Sequence, residues 1–210
     1  VSEHRMLNHL LKLNINKASG PDEIPNWFLK EYADIITPPI TEIINASFKE
    51  QIVPKSWKQA NVIPIPKKKP IKDITKDVRP VSLTSCISKI AEDFVVNDYF
   101  RPAVMKVIDK NQFGAVSKSS TTQALISMVQ NWLEATDGTG ATIRTFMFDY
   151  RKAFDLIDYS ILIKKICQLD LPNSIINWII DFLTNRFQRV KLSASCFSEW
   201  GPVPSGIPQG

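Results

Sequence analysis

Histidine and cysteine are scarce in this chain, and their scarcity removes several chemistries at once. His4, His9, Cys86, Cys167 and Cys196 are the whole set, and no spacing among them suits a zinc site. Three cysteines, odd in number and far apart, argue against a disulfide framework and for a reducing compartment. The seven glycines, at positions 20, 114, 138, 140, 201, 206 and 210, form neither a GxGxxG nor a GxxxxGK pattern, which disfavours a dinucleotide fold or a P-loop. Long apolar runs are missing as well: the longest, residues 175–183, is interrupted by Asn177 and Asp181 and is too short to span a bilayer. A soluble protein with no membrane partner is therefore expected. No secretory signal is visible, and the chain opens at Val1 inside a helical pattern, so a fragment at the N-terminus is expected.

What the chain does have is 44% hydrophobic residues over 210 positions, enough for one substantial core or two modest ones. A net charge of +5 and a pI near 9.1 lean towards polyanionic partners, although where the charges cluster matters more than their sum.

The chain is organised around residues 141–158. Ile143, Thr145 and Met147 alternate with Arg144, Phe146 and Phe148. This period of two, rich in β-branched and aromatic residues, predicts a strand that ends at Asp149. A turn over 150–154 then places the Phe154 ring a few residues from the carboxylate, and Asp158 opens a helix. A strand-end acid beside an aromatic wall suits an enzyme that holds a divalent cation and a flat, charged substrate together. The same residues also read as ordinary structure, with Asp149 a turn former, Asp155 a solvated residue and Asp158 a helix N-cap.

Upstream, Met6, Leu7, Leu10, Leu11 and Leu13 predict a helix ending near Asn14, followed by a loop over 16–25. Phe28, Leu29, Tyr32, Ile35 and Ile36 predict a second helix that Pro38 and Pro39 stop, and Ile40, Ile43, Ile44 and Phe48 a third. Residues 60–65 read as a strand in which Pro64 marks an edge or an end. Beyond it Lys67, Lys68, Lys69, Lys72, Lys76 and Arg79 fall within thirteen residues, offset by Asp73 and Asp77, before a second short strand. Such a hairpin is either a grip for phosphates or a solvated charged loop.

Ser85 is placed to cap a long helix running to Pro102, and residues 123–134 predict another with Leu125, Ile126, Val129, Trp132 and Leu133 turned inward. After Asp158 a helix carries Leu162, Ile166 and Leu169; Pro172 breaks it, and residues 175–183, apolar nearly all round, predict a buried helix. Residues 186–192 alternate as the first strand of a hairpin that turns at 193–196.

Five stretches, in order, carry a resemblance. They are NKASGPDEIP (16–25), WKQANVIPIPKKK with VRPVSL (57–69 and 78–83), QFGAVSKSSTTQAL (112–125), FDYRKAFDLID (148–158) and GPVPSGIPQG (201–210). In these the chain resembles the reverse transcriptases of LINE-type, non-LTR retrotransposons. The resemblance implies an α+β, right-hand polymerase fold, with residues 1–137 as N-terminal extension and fingers and 138–210 as the first part of an incomplete palm. It also implies RNA-directed DNA polymerisation, the transfer of a nucleotide from a dNTP to a primer 3′-hydroxyl with two Mg²⁺ ions. The implied partners are an RNA template and a DNA primer, read by backbone and shape. An intracellular life with cytoplasmic and nuclear stages goes with the family.

By motif position, Asp149 looks like the first metal-binding aspartate, with the Tyr150 backbone carbonyl as an additional ligand. Phe154 looks like the ring that packs under the incoming sugar and leaves a 2′-hydroxyl clashing and unpaired. Lys67 or Lys68, and Arg79, match cations that hold the triphosphate. Gln209 matches a residue lining the nucleotide site. Residues 114–118, Gly-Ala-Val-Ser-Lys, depart from the aromatic and basic residues that many members carry there. The family's second catalytic motif, an aromatic-x-Asp-Asp, follows GIPQG, and the sequence stops at Gly210; EYAD at 31–34 precedes the first motif and is a decoy. The 210 residues are therefore expected neither to complete a two-metal site nor to polymerise alone. A non-catalytic nucleic-acid-binding remnant is the competing expectation.

Overall fold

The computed structural model describes all residues except Thr139, Gln209 and Gly210. The chain forms two compact units, Val1–Ala103 with Lys152–Gly210, and Val104–Arg151.

The first unit begins with helix α1 (Glu3–Leu11), whose first turn is capped by the Ser2 side chain accepting from the Arg5 N–H. Helices α2 (Asn26–Glu31) and α3 (Ala33–Glu50) follow, separated at Tyr32. The proline stop is a correction: α3 runs straight through Pro38 and Pro39. Both prolines lie on the exposed face, as do Asp34 and Ile35, whose carbonyls lose their helical donors and can turn to water instead. On the opposite face Thr37, Ile40, Thr41, Ile44 and Ser47 stay buried, so core packing carries the helix past the break.

A four-stranded mixed sheet, in the order β2-β1-β3-β4, comes next in space. Its strands are β1 (Gln59–Pro66), β2 (Val78–Leu83), β3 (Phe187–Val190) and β4 (Gly201–Pro202). Strands β1 and β2 form the expected antiparallel hairpin, with Pro64 opposite Pro80. Strand β3 lies parallel to β1 over residues 59–62 only, so Pro64 falls in the half of β1 that β3 does not reach. Strand β4 pairs antiparallel with β3, and a bridge between Lys191 and Phe197 continues their hairpin.

After β2, helix α4 (Cys86–Val95) has Ser85 at its N-cap position, but the hydroxyl makes no capping bond and is buried without a partner. Pro102 does not end the helical run. A π turn over Val96–Phe100, in which the Arg101 N–H reaches back to the Val96 carbonyl, leads into α5 (Arg101–Met105). The wider turn makes room for a ring that would clash in a tight helix. In the second unit lies α6 (Thr121–Thr136), while α7 (Tyr159–Ile166) and α8 (Asn173–Leu183) belong to the first. Asp158 is the N-cap of α7, accepting from the Ser160 and Ile161 N–H groups.

Helix α8 shows why its sequence is apolar nearly all round. Ile175 and Trp178 join the main core with Met6, Leu10, Ile44, Ile90 and Phe94, while Ile176 and Leu183 join Ile166 in a second cluster. The Trp178 indole N–H donates to the Ser47 hydroxyl at 2.9 Å, which satisfies the one polar group that burial brings along.

Two corrections fall in the second unit. Residues 141–150 form no strand. Alternation alone cannot make one, because a strand needs a neighbour for its N–H and carbonyl groups, and none of the described strands takes this segment as a partner. The apolar face of α6 is not inward either: Leu125, Ile126, Val129 and Leu133 are exposed. Its start does follow the local code, since Ser120 and Gln123 form a reciprocal capping box.

Candidate nucleotide site

The basic connection between β1 and β2 is folded by its two acids. Asp73 accepts from the Thr75 N–H and hydroxyl, at 2.9 and 2.6 Å. Asp77, 4% exposed, accepts from the N–H groups of Lys72 and Asp73 and pairs with the Lys68 ammonium at 2.9 Å. The Lys68 bond, then the two backbone donors, hold the Asp77 carboxyl down at about 2. Counting charges along the sequence treats these acids as offsets; their Asx-turn spacing was the signal that they shape the tip.

Of the expected phosphate-binding cations, Lys68 is thus engaged by Asp77, while the Lys67 ammonium donates to the Lys76 carbonyl at 3.3 Å. Arg79 is exposed on β2, opposite Ile65. The turn and loop that carry Phe154 and the GIPQG segment come together in the same unit. The Ile207 N–H donates to the Phe154 carbonyl and the Gly206 N–H to the Ile157 carbonyl, each at 3.0 Å. The Ser205 hydroxyl donates to the Asp155 carbonyl at 3.2 Å, and the Tyr159 hydroxyl to the Gly206 carbonyl at 2.7 Å. Gly206 has φ +82°, and a Cβ there would sit 2.6 Å from the Asp155 carbonyl oxygen. Only glycine allows so close an approach.

This interlocked loop and the inner face of the sheet enclose a cavity of about 190 Å³, whose polar lining includes Ser82, Gln188, Ser205 and Arg186. Arg186, 2% exposed, donates to the Phe182 carbonyl at 2.9 Å and lies 4.6 Å over the Phe182 ring. Burial lowers its pKa, with Glu92 and Tyr159 opposing that shift. Phe154 is 54% exposed. A ring exposed to this extent suits packing against a flat or furanose ligand better than filling a core.

Asp149 and Tyr150 are exposed on the irregular segment of the second unit. A hard divalent cation takes about six oxygen ligands, and the described residues contain no group of three or more histidine, cysteine or acidic side chains that could hold one. Gln209 lies outside the described residues.

Comparison with known proteins agrees with the motifs. The family "Reverse transcriptase (RNA-dependent DNA polymerase)" matches residues 65–210. The "RNA-directed DNA polymerase from mobile element jockey" of Drosophila melanogaster is 28% identical over 100% of this chain and 23% of its own length. From the same organism, the "Probable RNA-directed DNA polymerase from transposon X-element" is 29% identical over 96% of this chain and 22% of its own length. The counterpart from transposon BS is 27% identical over 94% and 22%. The chain spans less than a quarter of the length of these curated relatives. Because the family match takes in the basic hairpin, the Phe154 turn and the loop locked against it, the chain belongs to the reverse transcriptase (RNA-dependent DNA polymerase) family, in its LINE-type, non-LTR branch.

Proposed function

We propose that this chain forms the fingers and the nucleotide-facing start of the palm of an RNA-directed DNA polymerase, with residues 1–137 as N-terminal extension and fingers and 138–210 entering the palm. The observation that carries the reading is the interlock of the Phe154 turn with the 205–207 loop beside a sheet whose hairpin bears the cations. In the reaction a primer 3′-hydroxyl attacks the α-phosphorus of a dNTP, a new P–O bond forms, and pyrophosphate leaves in line. Lys67 and Arg79 neutralise the triphosphate. Arg79 does so with a guanidinium fork and Lys67 as a point charge, while Lys68 shapes the tip through Asp77. Phe154 packs under the sugar and Gln209 lines the site. Asp149 and the Tyr150 carbonyl would contribute two of the oxygens that hold Mg²⁺, which would lower the pKa of the attacking hydroxyl and neutralise the phosphates.

Binding of a fluorescently labelled RNA–DNA duplex, followed by anisotropy with and without dNTP, tests this. The duplex should bind with a strong salt dependence. A complementary dNTP should tighten the complex, and Arg79→Ala should remove most of that gain, about tenfold or more for a lost charge-assisted fork. Duplex binding that no dNTP affects would instead favour a non-catalytic nucleic-acid-binding remnant.

A further inference from the structure

The four hydrogen bonds between residues 154–159 and 205–207 run in both directions along the loop, and one of them comes from a side chain with no part in the chemistry so far. Tyr159 is the first residue of α7, aimed by the Asp158 cap behind it. Its ring packs against the small cluster of Ile166, Ile176 and Leu183, and its hydroxyl reaches out of that cluster to the Gly206 carbonyl at 2.7 Å. The same peptide group that offers this carbonyl places the Ile207 N–H on the Phe154 carbonyl at 3.0 Å. One glycine thus connects a ring anchored in the core to the backbone of the residue whose ring is open to solvent. A Cβ at Gly206 would meet the Phe154 carbonyl oxygen at 2.8 Å, so the loop has no slack at this point.

We propose that Tyr159 is a positioning residue for sugar selection: through Gly206 it locks the loop onto the Phe154 backbone, fixing the ring that separates deoxyribonucleoside from ribonucleoside triphosphates. The inference rests on the reading of Phe154 proposed above. A ring rejects a 2′-hydroxyl only if it cannot move aside, since a displacement well under the size of an oxygen atom relieves the clash. Three of the four bonds are backbone contacts or a serine contact that survive the loss of the phenol, so Tyr159→Phe keeps the fold while loosening the wall. Burial raises the Tyr159 pKa, which keeps the hydroxyl a donor across the neutral range.

Two measurements on the full chain and its Tyr159→Phe variant test this. Hydrogen exchange at the Gly206 and Ile207 amides should speed up about three- to tenfold, the effect of one net hydrogen bond, while the unfolding temperature stays within a few degrees. Competition between dNTP and the matching rNTP for the chain bound to RNA–DNA duplex should show the dNTP preference falling by a similar factor, mostly through tighter rNTP binding. Unchanged exchange would overturn the interlock. Faster exchange with an unchanged preference would overturn the positioning role and leave a structural bond. Equal affinity of the unaltered chain for both sugars would overturn the reading of Phe154 and this role with it, whereas a preference that persists in Tyr159→Phe overturns this inference alone.

Discussion

Asp77 shows how one carboxylate decides whether six cations are a tail or a site. Its two oxygens collect the Lys72 and Asp73 N–H groups and the Lys68 ammonium, so the residues between β1 and β2 fold back on themselves. The carboxyl lies at about 2 in the folded chain, below its ordinary 3.8, so the folded state favours the charged form. Its contribution is then fully present above about pH 4 and disappears as the pH falls towards 2. NMR titration should show the Lys72 and Asp73 amide signals moving in that window. In Asp77→Asn the same amides should lose protection at neutral pH while the helical core keeps its melting behaviour. An Asp77→Asn chain with unaltered protection at those amides would show that the tip is folded by something else. The same economy of charge holds deeper in the unit, where Asp181 interrupts an apolar run in sequence. It accepts from the Val53 N–H and pairs with buried Lys58, each at 2.7 Å, so an interruption on paper is a pin in space.

Elements were legible in the sequence where local chemistry decides them and illegible where a neighbour does. The Asp158 cap and the β1–β2 hairpin rest on nearby residues and formed as read, and the Ser120 and Gln123 capping box, which the sequence reading passed over, has the same local origin. The strand over 143–149 and the inward face of α6 need surfaces from elsewhere, and the described chain offers none. Helix α3 errs the other way, since two prolines read as a stop are overruled by a buried face. This makes a prediction. Pro38→Ala restores a donor for the Asp34 carbonyl on an exposed turn, and chemical denaturation should show a gain of about 1–2 kcal/mol, part of the roughly 3 kcal/mol an interior proline costs, offset by the freedom alanine gives the unfolded chain. A loss of stability would mean that the helix depends on the proline. At the next helix, Trp178→Ala should cost about 3–5 kcal/mol, because the side chain is 1% exposed, stacks on Phe182 and also leaves the Ser47 hydroxyl without its indole donor.

At the scale of the whole molecule, two parts of the proposed function stand on different footings. The nucleotide-facing wall is assembled in the first unit by hydrogen bonds between segments some fifty residues apart in sequence, which a motif list orders but cannot join. The metal-facing part rests on Asp149, a single exposed carboxylate in the second unit. A binding site for a divalent ion would announce itself thermodynamically: at a free concentration one hundred times Kd it adds about 2.7 kcal/mol to stability. That corresponds to several degrees in the unfolding midpoint of a domain this size. With no group of three ligating side chains among the described residues, millimolar Mg²⁺ should leave the midpoint of the 210-residue chain unchanged. Primer extension on an RNA template should likewise be absent, and Asp149→Ala should alter neither result. A Mg²⁺-dependent rise in the midpoint, or extension activity, that disappears in Asp149→Ala would show that the chain gathers the remaining ligands itself. The irregular segment 141–150 would then have to take up the strand its alternation describes when the ion binds, and circular dichroism recorded with and without Mg²⁺ would detect that gain in β-structure.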